Sequence, residues 1–218
     1  MMRAYRVAVE LWKDWLYKFG TVVLLGLCKV LFRLRVFGRE NIPQSGNFII
    51  VARHRSYWDI PLLIVALGPR YRIHFVARRT LNDEHPLLLR PFVNGYAITI
   101  DREHFKKSDF VKVLSALKEG KIVCIFPEGT TKQGAPIHSG VVRFARRAER
   151  DFLPVNFRAS GPYPPKYPFW WPKLDIFIGR PFDLRDLEFD LNGVEAPHER
   201  ENKLSHLLMH RVDSLGMV

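Results

Sequence analysis

The chain has 218 residues, room for one domain with decorations, and its 47% hydrophobic and 26% charged residues exclude disordered and collagen-like classes. Lys and Arg number 34 against 22 Asp and Glu, a formal charge of +12 that suits anionic partners: nucleic acid, phospholipid or a phosphorylated substrate. Only Cys28 and Cys124 are present, each in an apolar run, which excludes a disulfide framework or multi-cysteine zinc site and fits a reducing compartment.

Residues 1–36 are predicted to form a helical segment separate from the rest, 37–218. Phe19 to Cys28 is ten uncharged residues, too short for a spanning helix, which needs about 20. The charges at Arg3, Arg6, Lys13, Asp14 and Lys18 do not fit a secretory leader. Apolar residues recur at Val7, Leu11, Trp15 and Phe19, and a second apolar stretch ends in Arg33 and Arg35, so two helices are expected. Basic ends and tryptophans fit a hairpin lying in a membrane interface, anchored without crossing; a hairpin packed on the domain's own core fits the same pattern.

Beyond Arg35, short apolar runs alternate with helical stretches. Strands are expected at Phe48–Ala52, Ile73–Ala77, Ala97–Ile100, Ile122–Phe126, Leu153–Phe157 and Leu174–Ile178. Helices are expected at Ile60–Leu67, Ser108–Lys118, Val141–Arg150 and Arg200–Leu215. The alternation predicts a single α/β domain with a largely parallel central sheet flanked by helices, because parallel neighbours need crossover connections. Sites in such sheets gather at the carboxyl ends of strands.

Three of those ends carry chemistry. After FIIVA comes Arg53-His54-Arg55-Ser56-Tyr57-Trp58-Asp59. His54 and Asp59 stand about 140° apart on an ideal helix, so they meet only if His54 lies in the turn and Asp59 opens the helix that Pro61 supports. Asp59 could then hold one imidazole nitrogen and leave the other as a general base. A histidine that merely satisfies a buried turn is the plainer alternative. The strand ending at Ile100 is followed by Asp101 and Arg102, whose guanidinium suits bidentate phosphate binding or a surface pair with Asp101 or Glu103. After IVCIF come Pro127-Glu128-Gly129-Thr130-Thr131-Lys132, where glycine lets backbone N–H groups and a hydroxyl approach an anion. Glu128 there needs a cation, which Arg102 or Lys132 could supply. Cys124 lies within its strand and is expected in the core.

In this order the motifs resemble the glycerophospholipid acyltransferase family across His54 to Pro154: His-x4-Asp at His54 and Asp59, Ile-Asp-Arg ending at Arg102, Phe-Pro-Glu-Gly-Thr at 126–130, and the proline-bearing strand Leu153-Pro154-Val155. The resemblance implies acyl transfer from acyl-CoA or acyl carrier protein to the free hydroxyl of a lysophospholipid, by default 1-acylglycerol-3-phosphate. It makes His54 the base, Asp59 its orienting partner, and Arg102, Glu128, Gly129 and Thr130 the site for the acceptor's phosphate. It implies no metal and no organic cofactor. Arg53 departs from the family pattern, which usually has asparagine before the histidine, and Ile137-His138-Ser139-Gly140 lacks the usual lysine; both bear on the acceptor, so another lysolipid such as a lyso-ornithine lipid stays open, as does a thioester or lipid hydrolase using the same His54 and Asp59 with water as acceptor. An oxyanion stabiliser is sought among backbone N–H groups of Ser56 to Trp58 or near Gly129.

Other surfaces lean towards lipid. Gly161 to Lys173 has five prolines and five aromatics in thirteen residues, fitting an interfacial loop or one packed over the sheet. Arg143, Arg146, Arg147 and Arg150 form a basic helical face, solvated or facing anionic lipid. His206 and His210 have metal-pair spacing without a third ligand. Positive charge spread without a recognition motif argues against nucleic acid, and the expected location is the cytoplasmic face of the inner membrane, on one side only.

Overall fold

The computed structural model describes residues 2–80, 95–166, 171–191 and 196–217, with the side chains of residues 2–11, 13, 16, 197 and 198 outside the description. A long helix α1 (Met2–Phe32) leads into β1 (Arg35–Phe37), a 3-10 turn at Arg39–Asn41, β2 (Ile49–Ala52), α2 (Asp59–Leu67), β3 (Ile73–Arg78) and β4 (Ala97–Ile100). Then follow α3 (Lys107–Lys118), β5 (Ile122–Ile125), α4 (Gly140–Ala148), β6 (Phe152–Ser160), β7 (Lys173–Ile178), α5 (Leu184–Phe189) and α6 (Pro197–Ser214).

The strands make one seven-stranded sheet in the order β1-β7-β6-β2-β5-β3-β4. The block β6-β2-β5-β3-β4 is wholly parallel; β7 pairs antiparallel with β6, and β1 follows β7, so these two run the other way. All four residues of β2 and of β5 are buried, as expected of strands covered on both faces. Their side chains alternate between two cores. Ile50, Ala52, Phe75, Cys124 and Val155 face α1 and α2, with Phe32, Leu62 and Leu63 against them. Ile49, Val51, Val123 and Ile125 face α3 to α6, with Val113, Val142, Leu187 and Leu208.

Pro154 sits inside β6 without breaking it. In a strand a residue's N–H and C=O point to the same side, and the Pro154 carbonyl accepts from the N–H of Gly179, beyond the end of β7. The β6/β7 ladder begins only at Val155, so the missing donor falls where no partner waits.

The single α/β domain with a mostly parallel sheet is as the sequence predicts. The N-terminal hairpin is not: residues 2–32 are one continuous helix. Gly20 and Gly26 each cost a helix about 1 kcal/mol, but no proline accompanies them, and the Thr21 hydroxyl donates back to the Tyr17 carbonyl within the helix. Its faces are opposed. Tyr17, Thr21, Cys28 and Phe32 are buried, while Trp12, Trp15, Phe19, Val22, Val23, Leu27 and Val30 are exposed along an arc of about 140°. Val7, Leu11 and Leu16 belong to the undescribed side chains. No helix among the described residues is long and apolar enough to cross a membrane.

Candidate active site

The turn leaving β2 presents His54, and α2 opens at Asp59 with Pro61 in its first turn. Asp59 is fully buried. Its Oδ2 accepts from the N–H groups of Arg55 (2.7 Å) and Ser56 (2.8 Å) and stands 3.1 Å from His54 Nδ1. The tight turn thus aims the carboxylate, and the carboxylate fixes the imidazole, leaving Nε2 as the free ring nitrogen. The ring lies flat on Phe126, centroids 4.3 Å apart, with Tyr57 edge-on at 6.4 Å. Those two rings confine it to one plane.

Oδ1 of Asp59 receives the hydroxyl of Tyr163, which the proline-rich segment beginning at Gly161 carries. Burial, and then the charge of Asp59, push the Tyr163 phenol far above its usual range, so it remains a donor. Trp171 from the same loop packs edge-on against Phe32 and Trp58. The described part of the loop therefore covers the domain, while 167–170, with Trp170, lie outside the described residues. The one legible signal was a tyrosine flanked by prolines, in a segment stiff enough to hold a hydroxyl in place.

The cation that meets Glu128 is Arg53, not Arg102 or Lys132. Strands β2 and β5 are neighbours in register, Val51 opposite Ile125, so the residues just past their ends meet; Arg102 follows β4, two strands further on. Arg53 donates to Glu128 Oε1 (2.5 Å) and, through Nε and Nη2, to both oxygens of Asp213 at the end of α6 (2.9 and 2.5 Å). The remaining Glu128 oxygen accepts the His54 N–H at 2.9 Å. Glu128 thus braces the backbone of the histidine. The arginine that departs from the family pattern ties β2, β5 and α6 together, and its pKa is driven up by Asp213 and then Glu128 against the opposing effect of burial.

Gly129 adopts φ +64°, and the Arg102 guanidinium stands 4.0 Å from where its Cβ would be. Both border a cavity of about 690 Å³ with Glu128, Thr130, Arg78 and Arg143 at its polar parts and Ile100, Phe110, Ile125 and Phe144 along apolar walls. Arg102 has no carboxylate partner among the described residues; desolvation, and then the facing charge of Arg78, lower its pKa. An anion between the two would relieve that repulsion. Sequence separation hid Arg78 and Arg143, which reach this cavity from β3 and α4.

Of the sought oxyanion donors, the N–H groups of Ser56, Trp58 and Gly129 are engaged by Asp59, Ser56 Oγ and the Phe126 carbonyl. The Tyr57 N–H has no hydrogen-bond partner among the described residues. Cys124 is buried in the sheet and burial raises its thiol pKa well above normal, consistent with a core role. The basic face of α4 is partly neutralised: Arg143 and Arg146 pair with Glu201, and Arg146 also with Glu188. Among the described residues no three His, Cys, Asp or Glu form a metal-binding group.

Residues 33–158 match the family model described as Acyltransferase. The 1-acyl-sn-glycerol-3-phosphate acyltransferase of Bacillus subtilis is 30% identical over 204 residues, 88% of this chain and 100% of that protein. The protein of the same name from Streptococcus pneumoniae is 28% identical over 84% of this chain and 69% of its own. Among solved structures, the 1-acyl-sn-glycerophosphate (LPA) acyltransferase of Thermotoga maritima superposes with a TM-score of 0.62 at 22% identity, covering 96% of this chain and 88% of that one, a likeness of fold.

Proposed function

The chain belongs to the acyltransferase family, and from that membership we propose that it acylates 1-acylglycerol-3-phosphate with a fatty acyl thioester, giving phosphatidate. The observation that carries this reading is the His54–Asp59 pair, whose neighbours Phe126 and Glu128 line the cavity where Arg102 has no carboxylate partner among the described residues. The acceptor's phosphate occupies the space between Arg102 and Arg78, with Gly129 allowing close approach and Thr130 offering a hydroxyl. Glu128, an acid, serves this site by holding Arg53 and the His54 N–H. The apolar walls take the acceptor's glycerol and first acyl carbons.

His54 Nε2 takes the proton of the acceptor hydroxyl as its oxygen attacks the thioester carbonyl carbon. The carbonyl electron pair moves onto oxygen, for which the Tyr57 N–H, unpaired among the described residues, is the candidate donor. When the pair returns, the new C–O ester bond stays, the C–S bond breaks, and the thiolate recovers the proton from His54. The substrate supplies the nucleophile, so no acyl-enzyme is needed, and the scheme uses no metal or organic cofactor. The exposed aromatic face of α1 rests on the membrane that holds the acceptor.

The test is transfer of a radiolabelled palmitoyl group to lysophosphatidate in detergent micelles, from palmitoyl-CoA and from palmitoyl-carrier protein, with His54→Ala alongside. Labelled phosphatidate from the wild type, with loss of at least about 100-fold in His54→Ala at unchanged circular dichroism, is the expected result. Thioester cleavage indifferent to lysophosphatidate would make the pair a hydrolase's.

A further inference from the structure

A second cavity, about 530 Å³, borders the catalytic loop and is lined by Arg53, Arg55, Asn156, Arg158, Asp213 and Met217 among others. The Arg53–Glu128 ion pair partitions it from the first: Glu128 faces one cavity and Arg53 the other, and the backbone of His54 is fastened to the same pair. Arg53 spends its charge on Glu128 and Asp213. Arg55 and Arg158 have no carboxylate partner among the described residues. Each is instead anchored through one N–H to a backbone carbonyl, Arg55 Nη1 to Phe157 at 3.3 Å and Arg158 Nε to Leu215 at 3.1 Å. Two guanidinium groups held in place with N–H donors to spare lose little freedom on binding an anion.

Asn156 stiffens the wall behind them. Only 4% exposed, it donates through Nδ2 to the carbonyls of Asp213 and Leu215, which ties the end of α6 to β6. The cavity's chemistry therefore calls for an anion received by two guanidinium groups on a fixed wall.

Resting on the acyl-transfer reading above, we propose that this cavity binds the phosphate-bearing pantetheine arm of the acyl donor, its phosphate on Arg55 and Arg158. An attacking hydroxyl and a thioester carbonyl approach each other along the bond that forms, so the rest of the two substrates must diverge from His54 in different directions. Two cavities on the two sides of the Arg53–Glu128 pair provide those directions. Coenzyme A and acyl carrier protein present the same arm.

The test uses the full chain in micelles with lysophosphatidate and three palmitoyl donors: the CoA thioester, the carrier-protein thioester, and the N-acetylcysteamine thioester, which lacks the phosphate. Arg158→Gln and Arg55→Gln are each expected to raise KM for both phosphate-bearing donors roughly tenfold, and Arg158→Gln, outside the His54 turn, to leave KM for lysophosphatidate and the rate from N-acetylcysteamine unchanged. Arg158→Lys, which keeps the charge, is expected to recover most of the loss; if Arg158→Gln does not fold, Arg55→Gln carries the measurement. A rise in KM for lysophosphatidate, an equal loss with the phosphate-free donor, or no change overturns the proposal. So does a rise confined to CoA, which would assign the cavity to the nucleotide phosphates, or to carrier protein, which would assign it to that protein's acidic surface. A wild type that transfers from no thioester to lysophosphatidate overturns the acyl-transfer reading instead, before any variant is made.

Discussion

Asp59 takes hydrogen bonds from two backbone N–H groups, from His54 and from Tyr163, so both carboxylate oxygens are engaged. Such a carboxylate can neither rotate nor relax, and the imidazole it holds inherits that rigidity. Tyr163→Phe removes one donor to a buried charged group and leaves the ring in place. The expected outcome is a fall in kcat of roughly ten- to a hundredfold with both KM values and the near-ultraviolet dichroism unchanged, since a hydrogen bond to a charged group is worth about 1.5–3 kcal/mol. Steady-state kinetics check it, and an unchanged kcat would show the hydroxyl to be a bystander. His54 and Asp59 were legible in the sequence because a five-residue spacing after a strand leaves few geometries. Tyr163 was not, because it lies 104 positions from Asp59 and only the folded β6–β7 connection brings them together. Arg53 was visible as a departure from the family pattern, yet its partners, Glu128 and Asp213, depend on strand order that periodicity does not encode.

At the scale of elements, the buried strands announced themselves through β-branched runs, and every one of the six expected strands is present within two or three residues of its expected limits. The three-residue β1 is too short to carry a pattern. Helix α1 departs from its expected hairpin for a different reason: it is apolar on two opposite faces, a pattern that in sequence resembles two helices each seeking a surface. One face docks through Tyr17, whose hydroxyl donates to the Tyr71 carbonyl at 2.7 Å. Burial pushes this phenol up to about 12 from 10.0. A folded-state pKa above the unfolded one means that the native state keeps its proton longer, so the contribution is intact below pH 10 and is lost between about pH 10 and 12. Denaturant unfolding across that window is expected to show a stability loss of about 2 kcal/mol that Tyr17→Phe lacks, the variant starting about 1 kcal/mol less stable at neutral pH. Parallel curves for the two proteins would mean that the phenol titrates freely and α1 is not held there.

Across the whole molecule, the parallel block places the ends of β2, β3, β4 and β5 along one edge, so the chemistry gathers there while the opposite face of α1 stays exposed and aromatic. Trp15 stacks between Trp12 and Phe19, each pair 5.3 Å apart, and all three are more than half exposed. An apolar patch of this kind on a chain of charge +12 has two attractions for an anionic bilayer, and salt separates them. The long-range one should fade as the Debye length falls from about 10 Å at 0.1 M to about 3 Å at 1 M, whereas insertion of rings into the interface should not. Co-sedimentation with vesicles containing phosphatidylglycerol is therefore expected to be strong at 0.1 M salt and weaker but measurable at 1 M. Trp15→Glu should abolish the salt-resistant part and leave thermal stability unchanged, because the side chain it replaces has half its surface in water. Salt-resistant binding that survives Trp15→Glu would place the membrane contact elsewhere on the domain, and α1 would then be a brace for the sheet whose outer face waits for a different partner.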